Sequence, residues 1–238
     1  MLDWTATWQE LEPPPRLAML PLGSVEQHGP YLPIGADWVM GAEVGEAIAR
    51  ELGAWLLPAQ PYSCAQEHQD FPGTVNLRPA TLAVLLADIA ASVARAKVRH
   101  LVIVNFHGGN WALKSIVRDI NRQRDDVIVY AFSPYEGAPG GAPGVDLHSG
   151  DFETSLWLHA HPELVRPNPR DFVPSISPAL LDQVGVRAVS PDGQWGPASQ
   201  ATAERGKFLF DWMVSEAVRR IRETLDQVEA LRGKETGA

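Results

Sequence analysis

The chain has 238 residues, 45% of them apolar and 21% charged, which is enough to bury a substantial core and ordinary for a soluble globular enzyme. Its 20 Lys and Arg against 29 Asp and Glu give a formal charge of −9, which argues against non-specific binding to nucleic acid or to an anionic membrane. The lone cysteine, Cys64, excludes an intramolecular disulfide and a cysteine-based zinc knuckle.

The stretch from Met1 to Trp8 carries neither a basic region nor a long apolar run, and no apolar stretch is long enough to span a bilayer, so a cytoplasmic protein is expected. The apolar run Leu17 to Leu22 reads as a buried strand ending in Gly23-Ser24. Val25 to Asp37 follows as a Gly/Pro-rich loop. Trp38 to Leu52 has helical spacing at Val39, Met40, Val44, Ile48 and Leu52, and Gly53 stops it. Ala54 to Pro58 is a short second strand. The long connection from Ala59 to Pro79 is of a length that is usually functional or oligomeric. Within it, Glu67 and His68 are either contacts to substrate or metal or a solvated pair.

Thr81 to Lys97 is the next helix, with Thr81 as cap and Leu82, Leu85, Leu86, Ile89 and Val93 on its buried face. Leu101 to Asn105 is a continuous apolar run of the kind found in central parallel strands. A helix from Trp111 to Arg124 and a strand from Val127 to Phe132 come next. Gly137 to Gly144 reads as a flexible loop, and a helix starts near Gly150 and ends by Pro162. Arg166 to Pro197 is Pro-rich and without clear period. A final helix runs from about Thr202 to Arg232, with Gly233 to Ala238 as a frayed tail. This alternation predicts an α/β fold, a largely parallel central sheet flanked by helices on both faces, as a single domain over 1–238. Core packing is the commoner explanation for eight Trp, with room for some in a pocket or subunit interface.

Chemistry gathers where strands end. Glu26 and His28 lie two residues apart, on one face if the chain is extended there, with Asp37 a further carboxylate beyond the loop. His107 follows the second long strand, and Gly108-Gly109 permits close backbone approach to a ligand. The bland alternatives are a polar turn at Glu26 to Asp37 and a helix-capping His107. Asp151 and Glu153 sit at a helix start, where the dipole alone favours acids. His148 fits that position less well as a cation, and better as a neutral, hydrogen-bonding or catalytic imidazole.

Glu26-Gln27-His28-Gly29-Pro30 with Leu32-Pro33-Ile34-Gly35-Ala36-Asp37, then Asn105-Phe106-His107-Gly108-Gly109-Asn110, then His148-Ser149-Gly150-Asp151-Phe152-Glu153-Thr154-Ser155 resemble the creatininase (creatinine amidohydrolase) family. Pro72-Gly73-Thr74 and Ala201 to Gly206 add to the match, which covers about Pro21 to Lys207. The resemblance implies a metal-dependent hydrolase of carbon–nitrogen bonds (amide, cyclic amide or formamide) and a homo-oligomer, usually a hexamer. It implies Glu26, His28, Asp37, His107 and Glu153 as ligands of one or two divalent metal ions per subunit, with Asp37 bridging, and His148 as the catalytic proton-transfer residue. Such donors suit Zn²⁺, Mn²⁺ or Fe²⁺. Three carboxylates and one metal-bound hydroxide would balance two such ions. The expected substrate is a small-molecule amide or a short peptide; no nucleic acid or membrane partner is expected. The alternatives are a peptidase for a small modified peptide and a non-catalytic metal- or ligand-binding protein.

Departures bear on substrate. Creatininases carry His-Tyr-Glu where this chain has His107-Gly108-Gly109, and Trp-Asp where it has Gly144-Val145. Tyr31 stands where many relatives have His, and Phe106 where many have Gly. The first two departures resemble losses of substrate-recognition elements and of a carboxylate, and point away from creatinine.

Overall fold

A computed structural model describes residues 1–140 and 145–235 of the chain. Four parallel strands, β1 (Leu17–Leu22), β2 (Trp55–Leu56), β3 (His100–Asn105) and β4 (Ile128–Phe132), form a sheet in the order β2-β1-β3-β4. β1 pairs with β3 along its whole length, from Leu17 opposite His100 to Leu22 opposite Asn105. Both strands are buried throughout, which is why each is apolar without alternation.

The period of two sorts their side chains between two cores. Leu17, Met19, Val102, Val104, Ile128 and Tyr130 face one, packed with residues of α1 (Ala36–Leu52), α4 (Asp151–Ala160) and α6 (Ala203–Glu235). Ala18, Leu20, Leu22, Leu101, Ile103 and Val129 face the other, under α2 (Pro79–Arg95) and α3 (Leu113–Gln123). Helices therefore cover both faces, as expected.

The strand order reverses at β1. The chain leaves it for β2 on one side and returns by α2 to β3 on the other, so the carboxyl ends of β1 and β3 flank the crevice where open α/β sheets bind ligands.

Several boundaries differ from the expected ones. α2 begins at Pro79, not Thr81, with Arg78 at the N-cap; proline is favoured at a first helical position because its missing N–H has no partner there anyway. α3 starts at Leu113, after Trp111 has served in a turn. α6 runs through Gly233 to Glu235, so part of the expected tail is helical, while 236–238 lie outside the described residues. The expected Gly137–Gly144 loop is described only to Gly140, which leaves Gly144 outside as well. Arg166–Pro197 holds a short antiparallel pair, β5 (Asp171–Phe172) and β6 (Gly196–Pro197), and a one-turn helix α5 (Leu181–Val184). Of the Trp, Trp157 and Trp195 are buried, whereas Trp4, Trp8 and Trp111 are exposed.

Candidate metal centre

β1 ends at Leu22, and the next turns deliver Ser24, Glu26, Gln27 and His28 into the crevice, all buried. Gly23 belongs there because a Cβ at that position would stand 2.5 Å from Trp38 Cα, so its absence lets the start of α1 sit against the end of β1. That approach brings Asp37, in the first turn of α1, next to His28 and His107. Asp37 Oδ1 is 3.1 Å from His28 Nε2, and Oδ2 is 2.9 Å from His107 Nδ1 and accepts from Ser24 Oγ at 3.0 Å. Each carboxylate oxygen thus faces a different imidazole.

His107 reaches the crevice from the loop after β3. Asn105 Nδ2 donates to the His107 carbonyl at 2.8 Å, and Asn110 Nδ2 donates back to Asn105 Oδ1 at 2.8 Å. The ring points at Asp37 and Glu26 and does not cap α3. Glu153 enters from α4, its Oε2 accepting from Ser149 N at 2.5 Å and lying 3.8 Å from His28 Nε2. Asp151, its neighbour at the same helix start, pairs with Arg205 instead. The two acids that the helix dipole alone could explain are thereby separated.

His148 is fixed by backbone pairing with Trp195, His148 N to Trp195 O at 3.0 Å and Trp195 N to His148 O at 2.8 Å. Its Nε2 lies 2.7 Å from the Gln27 carbonyl, which can only accept, so Nε2 carries the hydrogen and Nδ1 is bare. Nδ1 is 3.8 Å from Glu26 Oε1. Burial, reinforced by the charge on His28, pushes His148 down to about 3.

The mid-chain connection supplies what its sequence left open. His68 is buried, with Nδ1 2.7 Å from Gln27 Nε2 and Nε2 3.4 Å from Glu26 Oε1, so it is not half of a solvated pair. Glu67 lines the same cavity. Periodicity carried no signal for Ser24, Gln27, His68, Asn105, Asn110 or Ser149; the available clue was a polar residue flanking each motif.

The donors fit a divalent cation. Three groups among the described residues offer ligand atoms within 4.8 Å of one another: Glu26, His28 and His148; Glu26, Asp37 and His107; His28, Asp37 and Glu153. Glu26 Oε1 and Oε2 and His107 Nε2 are buried without a hydrogen-bond partner. Such orphaned atoms are costly unless a cation or its water meets them. Carboxylate and imidazole donors without thiolate suit Zn²⁺, Mn²⁺ or Fe²⁺.

With only one another as partners, these side chains balance charge with protons. Burial opposes charge on His28, but Asp37, then Glu153 and Glu26, raise it to about 10. Burial opposes charge on His107 as well, and Glu26 and Asp37 raise it to about 10. Burial drives Glu26 up to about 8 and Glu153 up to about 7. Burial also opposes charge on Asp37, yet His28 and His107 hold it far below the carboxylate range. A cation must displace these protons, and raising pH removes the competitor, so binding should tighten as pH rises through neutrality. At pH 7, Mn²⁺ or Zn²⁺ should release about three protons, two from the imidazoles and the rest from Glu26 and Glu153. Calorimetry in buffers of different ionisation enthalpy measures this; binding without proton release would show that the imidazoles are not ligands.

Fold and site together define an open α/β protein with a buried carboxylate–imidazole cluster at the carboxyl edge of its sheet. The profile of the creatininase (creatinine amidohydrolase) family matches residues 4–221, and the chain belongs to that family. It is 38% identical over 218 residues to a mycofactocin precursor peptide peptidase of Mycobacterium ulcerans, covering 85% of this chain and 83% of that protein. It is 30% identical over 251 residues to the creatinine amidohydrolase of Pseudomonas putida, covering 91% and 94%. The solved structure described as "Creatininase Mn" superposes with a TM-score of 0.81 at 26% identity, over 94% of this chain and 98% of that one.

Proposed function

We propose that the chain is a single catalytic domain that cleaves an amide bond in a short peptide or small amide other than creatinine. In this reading Glu26, His28, Asp37, His107 and Glu153 would hold one or two ions of Zn²⁺, Mn²⁺ or Fe²⁺, and Asp37, with one oxygen towards each imidazole, would serve both. The observation that carries it is the cavity above the cluster. It has a volume of about 720 Å³, with Glu26, Asp37, His107, His148 and Glu153 among its lining residues and Phe106, Trp111, Leu147, Leu181 and Val186 as apolar walls. Sites of about 300–1,000 Å³ with apolar walls and a few convergent polar groups are the usual size for binding drug-sized molecules, so there is room for a peptide end.

Bound divalent cations polarise a carbonyl oxygen and lower the pKa of water from 15.7 toward about 7. The protein's own part is orientation and proton movement. Asp37 and Glu26 fix the imidazoles, Gly108 and Gly109 line the cavity where backbone N–H groups can meet a developing oxyanion. His148 Nδ1 takes a proton from the attacking water and returns it to the departing nitrogen. The peptide preference is supported by the relative at 38% identity.

The assembly is read as a homo-oligomer, a hexamer by family likeness, which would give cover to Trp4, Trp8 and Phe208, all more than half exposed. The compartment is read as cytoplasmic; among the described residues no helix is long and apolar enough to cross a membrane, and the chain's one cysteine, Cys64, is free.

Metal-loaded protein should be assayed against creatinine, other cyclic amides, formamides and a panel of short peptides. Release of an amine from peptides, faster than any turnover of creatinine, is expected. Creatinine as the best substrate would reverse the substrate reading, and no hydrolysis of any amide by fully loaded protein would favour a binding role.

A further inference from the structure

We infer that Glu67 is a further metal ligand of the Glu26/Asp37/His107 group, delivered from the mid-chain connection into the space that Gly109 leaves open. The inference rests on the metal-site reading above and adds a residue to it.

The observation begins at Gly109. A Cβ there would lie 2.0 Å from Glu67 Oε1 and 2.4 Å from His107 Nε2, so the Glu67 carboxylate occupies the place of the missing side chain, beside the imidazole nitrogen. Gly109 is not among the glycines with positive φ, so its backbone does not need glycine. What needs glycine is the neighbour. Glu67 Oε1 stands 3.8 Å from His107 Nε2, too far for a hydrogen bond. His107 Nε2 has no hydrogen-bond partner, and neither has either oxygen of Glu26, whose Oε2 is 3.2 Å from the same nitrogen. All three atoms are buried.

Ligand atoms about 2.0–2.2 Å from a shared ion in tetrahedral array lie roughly 3.3–3.6 Å apart. The Glu26–His107 separation already approaches that spacing, whereas Glu67, 3.8 Å from His107 Nε2 and outside the groups of mutually close donors, reaches it by a rotation of its side chain towards Glu26. Glu26, Asp37 and His107 make three protein donors, and Glu67, beside His107 Nε2, would be the fourth once its carboxylate turns inward.

The segment carrying Glu67 is anchored for this. Residues Gln66–His68 form a 3-10 turn, the Glu67 carbonyl accepts from Val186 N at 2.8 Å, and His68 next to it is buried against Glu26. Glu67 thus brings a carboxylate to the space that a side chain at position 109 would fill.

The test is metal binding by purified protein, independent of turnover. Wild type, Glu67→Gln and Glu67→Ala are stripped with chelator and titrated with Mn²⁺ and Zn²⁺, with thermal melting as the folding control. The expected result is that both variants fold and keep one cation site, while the affinity of the other falls by about 10–100-fold or more. Saturated with Co²⁺, Glu67→Gln should show altered visible absorption, because the donor set changes. Wild-type metal affinity in Glu67→Gln would overturn the inference, and so would a weakened affinity with an unchanged Co²⁺ spectrum, which reports a distant charge only. A wild-type protein that binds no metal would instead sink the reading of the whole centre, so the two failures are distinguishable.

Discussion

Asp37→Ala is expected to lose more metal than any other single substitution in the centre. Its two oxygens face two imidazoles, Oδ1 towards His28 at 3.1 Å and Oδ2 towards His107 at 2.9 Å, and it belongs to two of the three candidate ligand groups. Removing it takes a donor from both groups at once. It also leaves any two cations held there with nothing between them, and their repulsion grows with the product of their charges. Supporting residues around metal ligands typically cost 10–100-fold in affinity or activity when lost, so a shared ligand should cost more than about 100-fold. Elemental analysis after dialysis against dilute Zn²⁺ or Mn²⁺, normalised to folded protein, measures it. Asp37→Asn keeps the shape and the Ser24 contact while removing the charge, and should lose metal almost as completely. Metal content equal to wild type in Asp37→Asn would exclude the bridging role.

Much of this arrangement is legible in sequence where a local rule acts. The continuous apolar runs at Leu17–Leu22 and Leu101–Asn105 read as doubly covered strands, and both are buried throughout. Glu26, His28 and His107 follow those strands, and in a parallel sheet that places them together at the carboxyl edge. Gly53 ends α1 in the left-handed conformation, as its position after Leu52 suggested.

What could not be read was set by contacts between distant segments. His68 and Glu67 reach the centre because their turn is held by Val186, more than a hundred residues away in a Pro-rich stretch without periodicity. His148 owes its place to backbone pairing with Trp195, a bridge outside any regular strand. Asp151 and Glu153 look alike in sequence; only the arrival of Arg205 from α6 shows which one is drawn away. Hydrophobic period and helix caps describe a segment's own structure, whereas these residues depend on which loop closes over which.

His148→Ala should leave metal content and folding near wild type while the rate at saturation falls by roughly 10²-fold or more on an unactivated amide. The geometry separates this imidazole from a simple ligand. Its Nε2–H is taken by the Gln27 carbonyl at 2.7 Å, so only Nδ1 is available, and that atom sits 3.8 Å from Glu26 Oε1 beside the cavity. A neutral ring with one bare nitrogen beside the reacting groups can take a proton and hand it on. Such help matters most when the departing nitrogen is strongly basic. The loss should therefore shrink on an activated anilide, whose nitrogen leaves with less assistance. His148 also belongs to one of the candidate ligand groups, with Glu26 and His28, and that role predicts something different. Metal stoichiometry would then fall with activity, and by the same factor for both leaving groups. A purely structural role, through the rings of His28 and His68 with centroids 4.4 Å away, predicts a lower melting temperature and an unchanged rate per folded, loaded molecule. Stoichiometry, melting and the ratio of anilide to amide rates, measured on one preparation, distinguish the three. Full metal with an unchanged rate on unactivated amides would remove His148 from the mechanism.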